Sequence, residues 1–338
     1  MSNKQKRILI VRQDRLGDVV LSTPLPRELK NKFPDAYIAV LVKNYTKAVY
    51  ENNPFVDAII LYDDYPQNTF SDFLKKSREI KRHKFTHAFM ILPDERINYM
   101  LFFAGIPNRY GTGWKLFQAI TGVKSVSRNK YKPLRHEADY ALDFARKIGV
   151  NTFNCKTEIY LTEEERNEAL IRKKKFCPNT EKLIAVHSTY GLSTPNMPVD
   201  EYEKLIIKLV NVPGIKVMVT DYNIPEKIKE IDNVIYLSRS GRDFFIDVAM
   251  ADLLISSSTG PSHVAAALEV PTLTLFCRLP AASAMLWSPM GNDAYFIFPE
   301  ENYCATKCPN DVKSCFFQGD GGIDADKVFN RVLEIIGK

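Results

Sequence analysis

The run Arg12-Gln13-Asp14-Arg15-Leu16-Gly17-Asp18 follows a short apolar segment, Ile8-Leu9-Ile10-Val11, and leads into an amphipathic stretch. A strand therefore hands over directly to a helix here, with Gly17 giving a compact turn and Asp18 in the first helical turn. A carboxylate there is either a favourable partner of the helix dipole or a general base that takes a proton from a hydroxyl. The turn holds one glycine, not the G-x-G-x-x-G pattern, which argues against a nicotinamide oxidoreductase.

Two later turns also carry suitable groups. His187-Ser188-Thr189-Tyr190-Gly191-Leu192-Ser193-Thr194 follows an apolar run at 183–186 and combines hydroxyls with a glycine. It reads as an ordinary polar loop or as a phosphate-binding one, and composition does not choose between them. Ser256-Ser257-Ser258-Thr259-Gly260-Pro261-Ser262-His263 then leads into Val264-Ala265-Ala266-Ala267-Leu268. Pro261 marks a first helical position, so several free N–H groups and the positive dipole end would face an anion. A small, apolar helix suits close packing on a sheet, and the same turn could simply cap it.

These turns need elements to hold them. Apolar runs at 8–11, 37–42, 58–62 and 87–92 alternate with helical patterns near 19–32, 70–82, 94–103 and 136–148. The runs are continuous, as in parallel strands buried on both faces. The rhythm restarts after a charged helix at 163–175, N-capped by Thr162 and ended near Pro178. Strands follow at 183–186, 216–220, 234–237, 253–256 and 273–276, with helical patterns near 199–210, 242–250 and 262–268. The expected architecture is α/β, two Rossmann-like domains in series, with ligands beyond the carboxyl ends of the strands. The boundaries are 1–160 and 161–323, followed by an amphipathic helix at 324–338 that either packs on the second domain or crosses back to the first.

At 338 residues, two domains are the ordinary expectation, and 45% hydrophobic with 25% charged residues is a globular balance. A net charge of +6 suits an anionic substrate or membrane surface but not the basic stripe of a nucleic-acid binder. No apolar run reaches the roughly 20 residues of a membrane span or forms a signal-peptide core, so a cytoplasmic protein is expected. Cys155, Cys177, Cys277, Cys304, Cys308 and Cys315 are then reduced thiols. The spacing Cys304-x3-Cys308-x6-Cys315 raises a metal site, but the segment holds no fourth ligand and no His, so idle loop cysteines are the reading preferred.

The three turns, in this order, resemble the heptosyltransferase family, glycosyltransferase family 9. The matching stretches are R-L-G-D-V-V-L-S-T-P at 15–24, T-G-P-S-H-V-A-A-A-L at 259–268 and V-P-T-L-T-L-F at 270–276. The resemblance implies the GT-B fold, two Rossmann-like domains facing each other across a cleft, the first binding the acceptor and the second the nucleotide-sugar donor. It implies inverting, metal-independent transfer from ADP-heptose to a lipopolysaccharide core sugar at the inner face of the inner membrane. Asp18 matches the catalytic base; Ser188 and Thr189 fall in the donor phosphate loop; Ser258, Thr259, Gly260, Pro261 and His263 form the donor-site turn. No cofactor and no metal are implied.

Two positions depart from the family pattern. A Lys is common shortly before a Trp-Pro pair in the phosphate loop, where this chain reads Thr194-Pro195-Asn196-Met197-Pro198. An Asp is common before the T-G pair, where Ser258 stands. Arg278 or Lys43 could supply the missing cation. Acceptor candidates are Lys43, Arg96, Lys115, Arg135 and His136, although at any single position a solvated charge is the reading preferred. Asp324-x-Asp326 reads as a helix cap rather than a metal-binding pair, and Asp63-Asp64 as a loop after a strand. A non-catalytic nucleotide-sugar or glycan binder, a GT-B epimerase, or transfer from another nucleotide sugar are the alternatives, and fold alone does not separate them.

Overall fold

The computed structural model describes residues 5–63, 69–179, 181–189, 194–309 and 311–337. The chain forms two compact units, Met1–Tyr160 and Leu161–Lys338. In the first, β1 (Arg7–Val11), β2 (Tyr37–Val42), β3 (Ala58–Leu61), β4 (His87–Met90), β5 (Asn108–Thr112) and β6 (Lys124–Val126) form one parallel sheet in the order β3-β2-β1-β4-β5-β6. Its helices are α1 (Leu16–Val20), α2 (Pro24–Lys32), α3 (Phe70–Arg82), α4 (Glu95–Phe103), α5 (Leu116–Ile120) and α6 (Glu137–Arg146).

The second unit opens with α7 (Glu163–Phe176). Its strands are β7 (Lys182–His187), β8 (Ile215–Val219), β9 (Val234–Tyr236), β10 (Leu253–Ser257), β11 (Thr272–Leu275) and β12 (Ala294–Ile297), with α8 (Val199–Val210), α9 (Glu226–Lys229), α10 (Gly241–Ala249), α11 (Gly260–Ala267), α12 (Ala284–Trp287), α13 (Tyr303–Thr306) and α14 (Ala325–Ile336). The order β9-β8-β7-β10-β11-β12 repeats that of the first sheet strand for strand, again all parallel. Each unit thus has one point where the strand order reverses, between β1 and β4 and between β7 and β10. Ligands of such sheets bind beyond the carboxyl ends at that point.

Local sequence explains most of these elements. The residues of β1, β2 and β7 are almost wholly buried, as both-face coverage by helices requires. Thr162 accepts from the Glu165 N–H while Glu165 accepts from the Thr162 N–H, a reciprocal cap that starts α7. The helical pattern near 19–32 is two helices: Pro24 has no N–H to continue the first, and the Ser22 and Thr23 hydroxyls bond the Asp18 and Val20 carbonyls instead. Strands β5, β6 and β12 escape the apolar-run criterion, since Asn108-Arg109-Tyr110-Gly111-Thr112 is a strand made by its neighbours β4 and β6.

The final helix packs on α8 of its own unit, burying Val328 and Val332 in the core that also holds Leu205 and Leu209. Asp324 caps it by accepting from the Lys327 N–H at 2.8 Å, and Asp326 pairs with Lys208 at 2.6 Å. Asp63 lies after β3 and accepts from the Asn44 N–H, while Asp64 lies outside the described residues.

Candidate active site

At the first reversal point the chain gathers charge. Arg12, directly after β1, is buried and contacts three carboxylates: Asp14 at 2.9 Å, Asp18 at 2.9 Å and Glu137 at 3.2 Å. Glu137 is the first residue of α6 and also takes a two-pronged contact from Arg128, at 2.7 and 2.8 Å. Gly17 is buried beside Asp18 in α1. Fixed geometry of this kind is what a guanidinium fork supplies and an ammonium does not.

The cluster alters its own acidity. Burial pushes Asp14 up to about 6; Arg12 opposes the shift, and Asp18 and Glu137 add to it. Burial likewise raises Asp18, against Arg12 and with Glu137. Desolvation would lower Arg12, but its three acidic neighbours outweigh it and hold the guanidinium charged. Asp18 keeps a side chain 20% exposed and Asp14 one 15% exposed, so both combine partial access with a raised basicity, whereas Glu137 is only 3% exposed.

The acceptor candidates separate into two groups. Lys43 follows β2 at the carboxyl end of the sheet, Arg96 lies in the first turn of α4, and Lys115 is exposed just before α5. Arg96 donates to the Thr69 carbonyl and lies 5.6 Å over the Phe73 ring. Arg135 instead pairs with Asp139 and Asp143 and stacks on Tyr140, and His136 caps α6 by accepting from the Ala138 N–H. Those two, like Arg96, have local structural partners that their sequence positions did not disclose.

The second reversal point is built from hydroxyls and amides. Asp221, directly beyond β8, is fully buried and takes four hydrogen bonds: from the Ser188 N–H and O–H at 3.1 and 2.7 Å and from the Thr189 N–H and O–H at 2.8 and 2.6 Å. Ser188 and Thr189 therefore direct these donors at a protein carboxylate, not outward as a phosphate loop would. The remaining part of that loop, residues 190–193, lies outside the described residues. His187 contacts Asp221 at 3.5 Å, and burial outweighs that carboxylate to push its pKa down. At the departure from the family pattern, Asn196 and Met197 are buried, and Asn196 donates to the Ser188 carbonyl at 2.7 Å.

Helix α11 begins across the reversal point, on β10. Thr259 is its N-cap, Gly260 its first residue and Pro261 its second, one position later than the sequence pattern placed it. The Ser258 carbonyl accepts from Thr194, and His263 is buried one turn in. Thr259 Oγ1 and Ser257 Oγ are buried and make no hydrogen bond among the described residues. Two such hydroxyls beside the amide end of an eight-residue helix are an arrangement suited to an anionic oxygen ligand. Arg278 is exposed in the loop that follows β11, where it donates to the Pro299 carbonyl and lies 5.6 Å over the Phe298 ring.

Burial raises the Cys277 thiol to about 11, against a backbone hydrogen bond from Leu279 and with Cys304, Cys315 and Cys308 adding to the shift. No three His, Cys, Asp or Glu side chains among the described residues are arranged to hold a metal ion.

Comparison with known proteins agrees with this architecture. Residues 242–312 match the model of glycosyltransferase family 9 (heptosyltransferase). A Haemophilus influenzae protein provisionally named a glycosyltransferase is 26% identical over 303 residues, covering 85% of this chain and 87% of the relative. Among solved structures, a glycosyl transferase family 9 protein of Veillonella parvula superposes with a TM-score of 0.80 at 20% identity, covering 99% of this chain and 98% of the other. The E. coli ADP-heptose lps heptosyltransferase II gives 0.73 at 16% identity over 98% of each chain. E. coli heptosyltransferase WaaC with ADP gives 0.70 at 14% identity, over 97% of this chain and 99% of the other.

Proposed function

Starting from the premise that this chain is a glycosyltransferase of GT-B-like architecture with a heptosyltransferase family segment, we propose that it moves heptose from ADP-heptose to a sugar hydroxyl of a lipopolysaccharide core or related glycan. The observation that carries the reading is Asp18, accessible, held by buried Arg12 and raised in basicity by its surroundings.

In this mechanism Asp18 takes the acceptor hydroxyl proton as the oxygen bonds to the anomeric carbon. The bond from that carbon to the diphosphate oxygen breaks in the same step, the leaving diphosphate keeps the electron pair, and the configuration inverts. The N–H groups that open α11 and the hydroxyls of Ser257 and Thr259 receive the charge that develops on the diphosphate. Arg278 supplies the cation for which the Thr194 segment has no Lys. Lys43, Arg96 and Lys115 bind the phosphorylated acceptor in the first unit, and transfer takes place at the inner face of the membrane where such glycans are lipid-linked. Ser258, standing where the family commonly has Asp, favours a second reading in which the transferred sugar is not heptose.

The test is turnover of ADP-heptose, set beside UDP- and GDP-sugars, by wild type and Asp18→Asn. ADP-heptose consumption that Asp18→Asn abolishes supports the assignment. Turnover by another donor alone moves the family chemistry to a different sugar, and an active Asp18→Asn removes the base.

A further inference from the structure

From Arg96 to His136 the chain carries eight Lys or Arg and no Asp or Glu, although the protein as a whole has 46 basic and 40 acidic residues. The same region exposes large apolar side chains: Phe102 is 45% exposed, Phe103 58%, Trp114 71%, Leu116 77% and Ile120 66%. Phe70, at the start of α3, joins them at 74%.

These residues form one surface. Helices α3 and α4 pack side by side, as do α4 and α5. Phe70 stacks on Phe73 at 5.9 Å, Phe73 meets the edge of Phe103 at 5.7 Å, and Phe103 meets Phe102 at 5.7 Å. Arg109 then lies 5.3 Å over Phe102 and donates to the Thr121 carbonyl, next to Ile120. The buried side of α5 is fixed from below by Asn98, which donates to the Phe117 carbonyl and the Thr121 hydroxyl. The short helix therefore presents Leu116 and Ile120 outward on a rigid base, with exposed Lys115 and Lys124 at its two ends.

Contiguous apolar surface of this kind marks an interaction site. A Trp just before a short helix with exposed aliphatic residues and flanking Lys, with no acidic residue between positions 96 and 136, matches the chemistry of a surface that lies in an anionic lipid interface. We propose that the α3–α4–α5 face is a membrane-docking surface that inserts Trp114, Leu116 and Ile120 among lipid chains while Arg109, Lys115 and Lys124 meet anionic headgroups. The inference deepens the membrane placement in the proposed function, yet it stands on this surface alone and needs no transfer chemistry.

The test uses the full chain, without donor or acceptor, and vesicles of phosphatidylcholine alone or with about 30 mole per cent phosphatidylglycerol, on the order of the anionic content that gives a surface potential. Trp114 and Trp287 are the two tryptophans, so Trp287→Phe leaves a single reporter on the surface. Co-sedimentation with the anionic vesicles, a blue shift of Trp114 emission and quenching by brominated lipid chains are expected, weakened by added salt. Leu116→Ser/Ile120→Ser should lower partitioning by about tenfold or more, and Lys124→Glu by about fivefold, both with unchanged circular dichroism. No sedimentation at low salt, equal binding to neutral vesicles, or binding without a Trp114 shift would overturn the proposal. So would self-association without vesicles that Leu116→Ser/Ile120→Ser abolishes, since a second copy would then be the occupant. A chain that binds vesicles but turns over no donor keeps this inference and loses the proposed reaction.

Discussion

The two units share one strand order and place their candidate site turns at the same reversal point, yet they fill it with opposite chemistry. Beyond β1 stand Asp14, Asp18 and Glu137 around Arg12, an ionic cluster in which Glu137 is buried and Asp14 and Asp18 are partly exposed. Beyond β7 and β10 stand amides and hydroxyls, with Asp221 buried beneath them and no acidic residue in the first turn of α11. A sheet topology determines where a ligand can bind, and the side chains and helix ends placed there determine what charge it can carry. A proton acceptor needs a carboxylate whose basicity its surroundings raise, and an anion site needs donors and no competing negative charge.

Breaking each half separately sharpens the contrast. Asp18→Asn keeps the shape of the first turn and removes the proposed base, so turnover should fall by up to about 10^4-fold with donor binding intact, measured by initial rates and calorimetry. Glu137→Ala leaves Arg12 and Arg128 buried without their shared partner; denaturant unfolding should show a loss of about 3–5 kcal/mol. Asp221→Ala removes the acceptor of four hydrogen bonds from the second unit, and about 2–3 kcal/mol of stability should go with it. Thr259→Val takes away a buried hydroxyl that has no hydrogen-bond partner among the described residues, so donor affinity should drop by about tenfold while the melting temperature stays the same or rises.

The smallest expected effect is on pH. Folded Asp14 titrates near 6, above its ordinary 3.8, because the folded site disfavours its charged form. Its contribution to stability is therefore fully present below about 3.8 and declines as pH rises through about 6. With Asp18 as the proposed base, unprotonated when it acts, turnover should run the other way and decline on acidification. Glu137→Gln removes a negative neighbour that raises Asp18, and should shift that acidic limb to lower pH by about one unit or less. A limb that moves to higher pH would show that Glu137 is not a charge acting on Asp18.

Much was legible in the chain. Continuous apolar runs mark β1, β2, β7 and β10, and Thr162 marks the start of α7, because these signals act within a few residues. The turns holding Asp18 and Thr259 could be located because a strand-to-helix handover with glycine and hydroxyls is a local pattern. Strands β5 and β12 were not, since their burial comes from neighbours distant in sequence.

What the sequence by itself determined is therefore the order of elements and the identity of the groups at each turn. The tertiary structure decided their partners. Arg12 and Asp18 are six residues apart, but Glu137 reaches them from 125 residues away through the packing of α6. Asp221 claims Ser188 and Thr189 only because β8 lies beside β7. Hydrogen bonding and desolvation act over a few ångströms in space, whereas sequence patterns report only what the backbone already holds together.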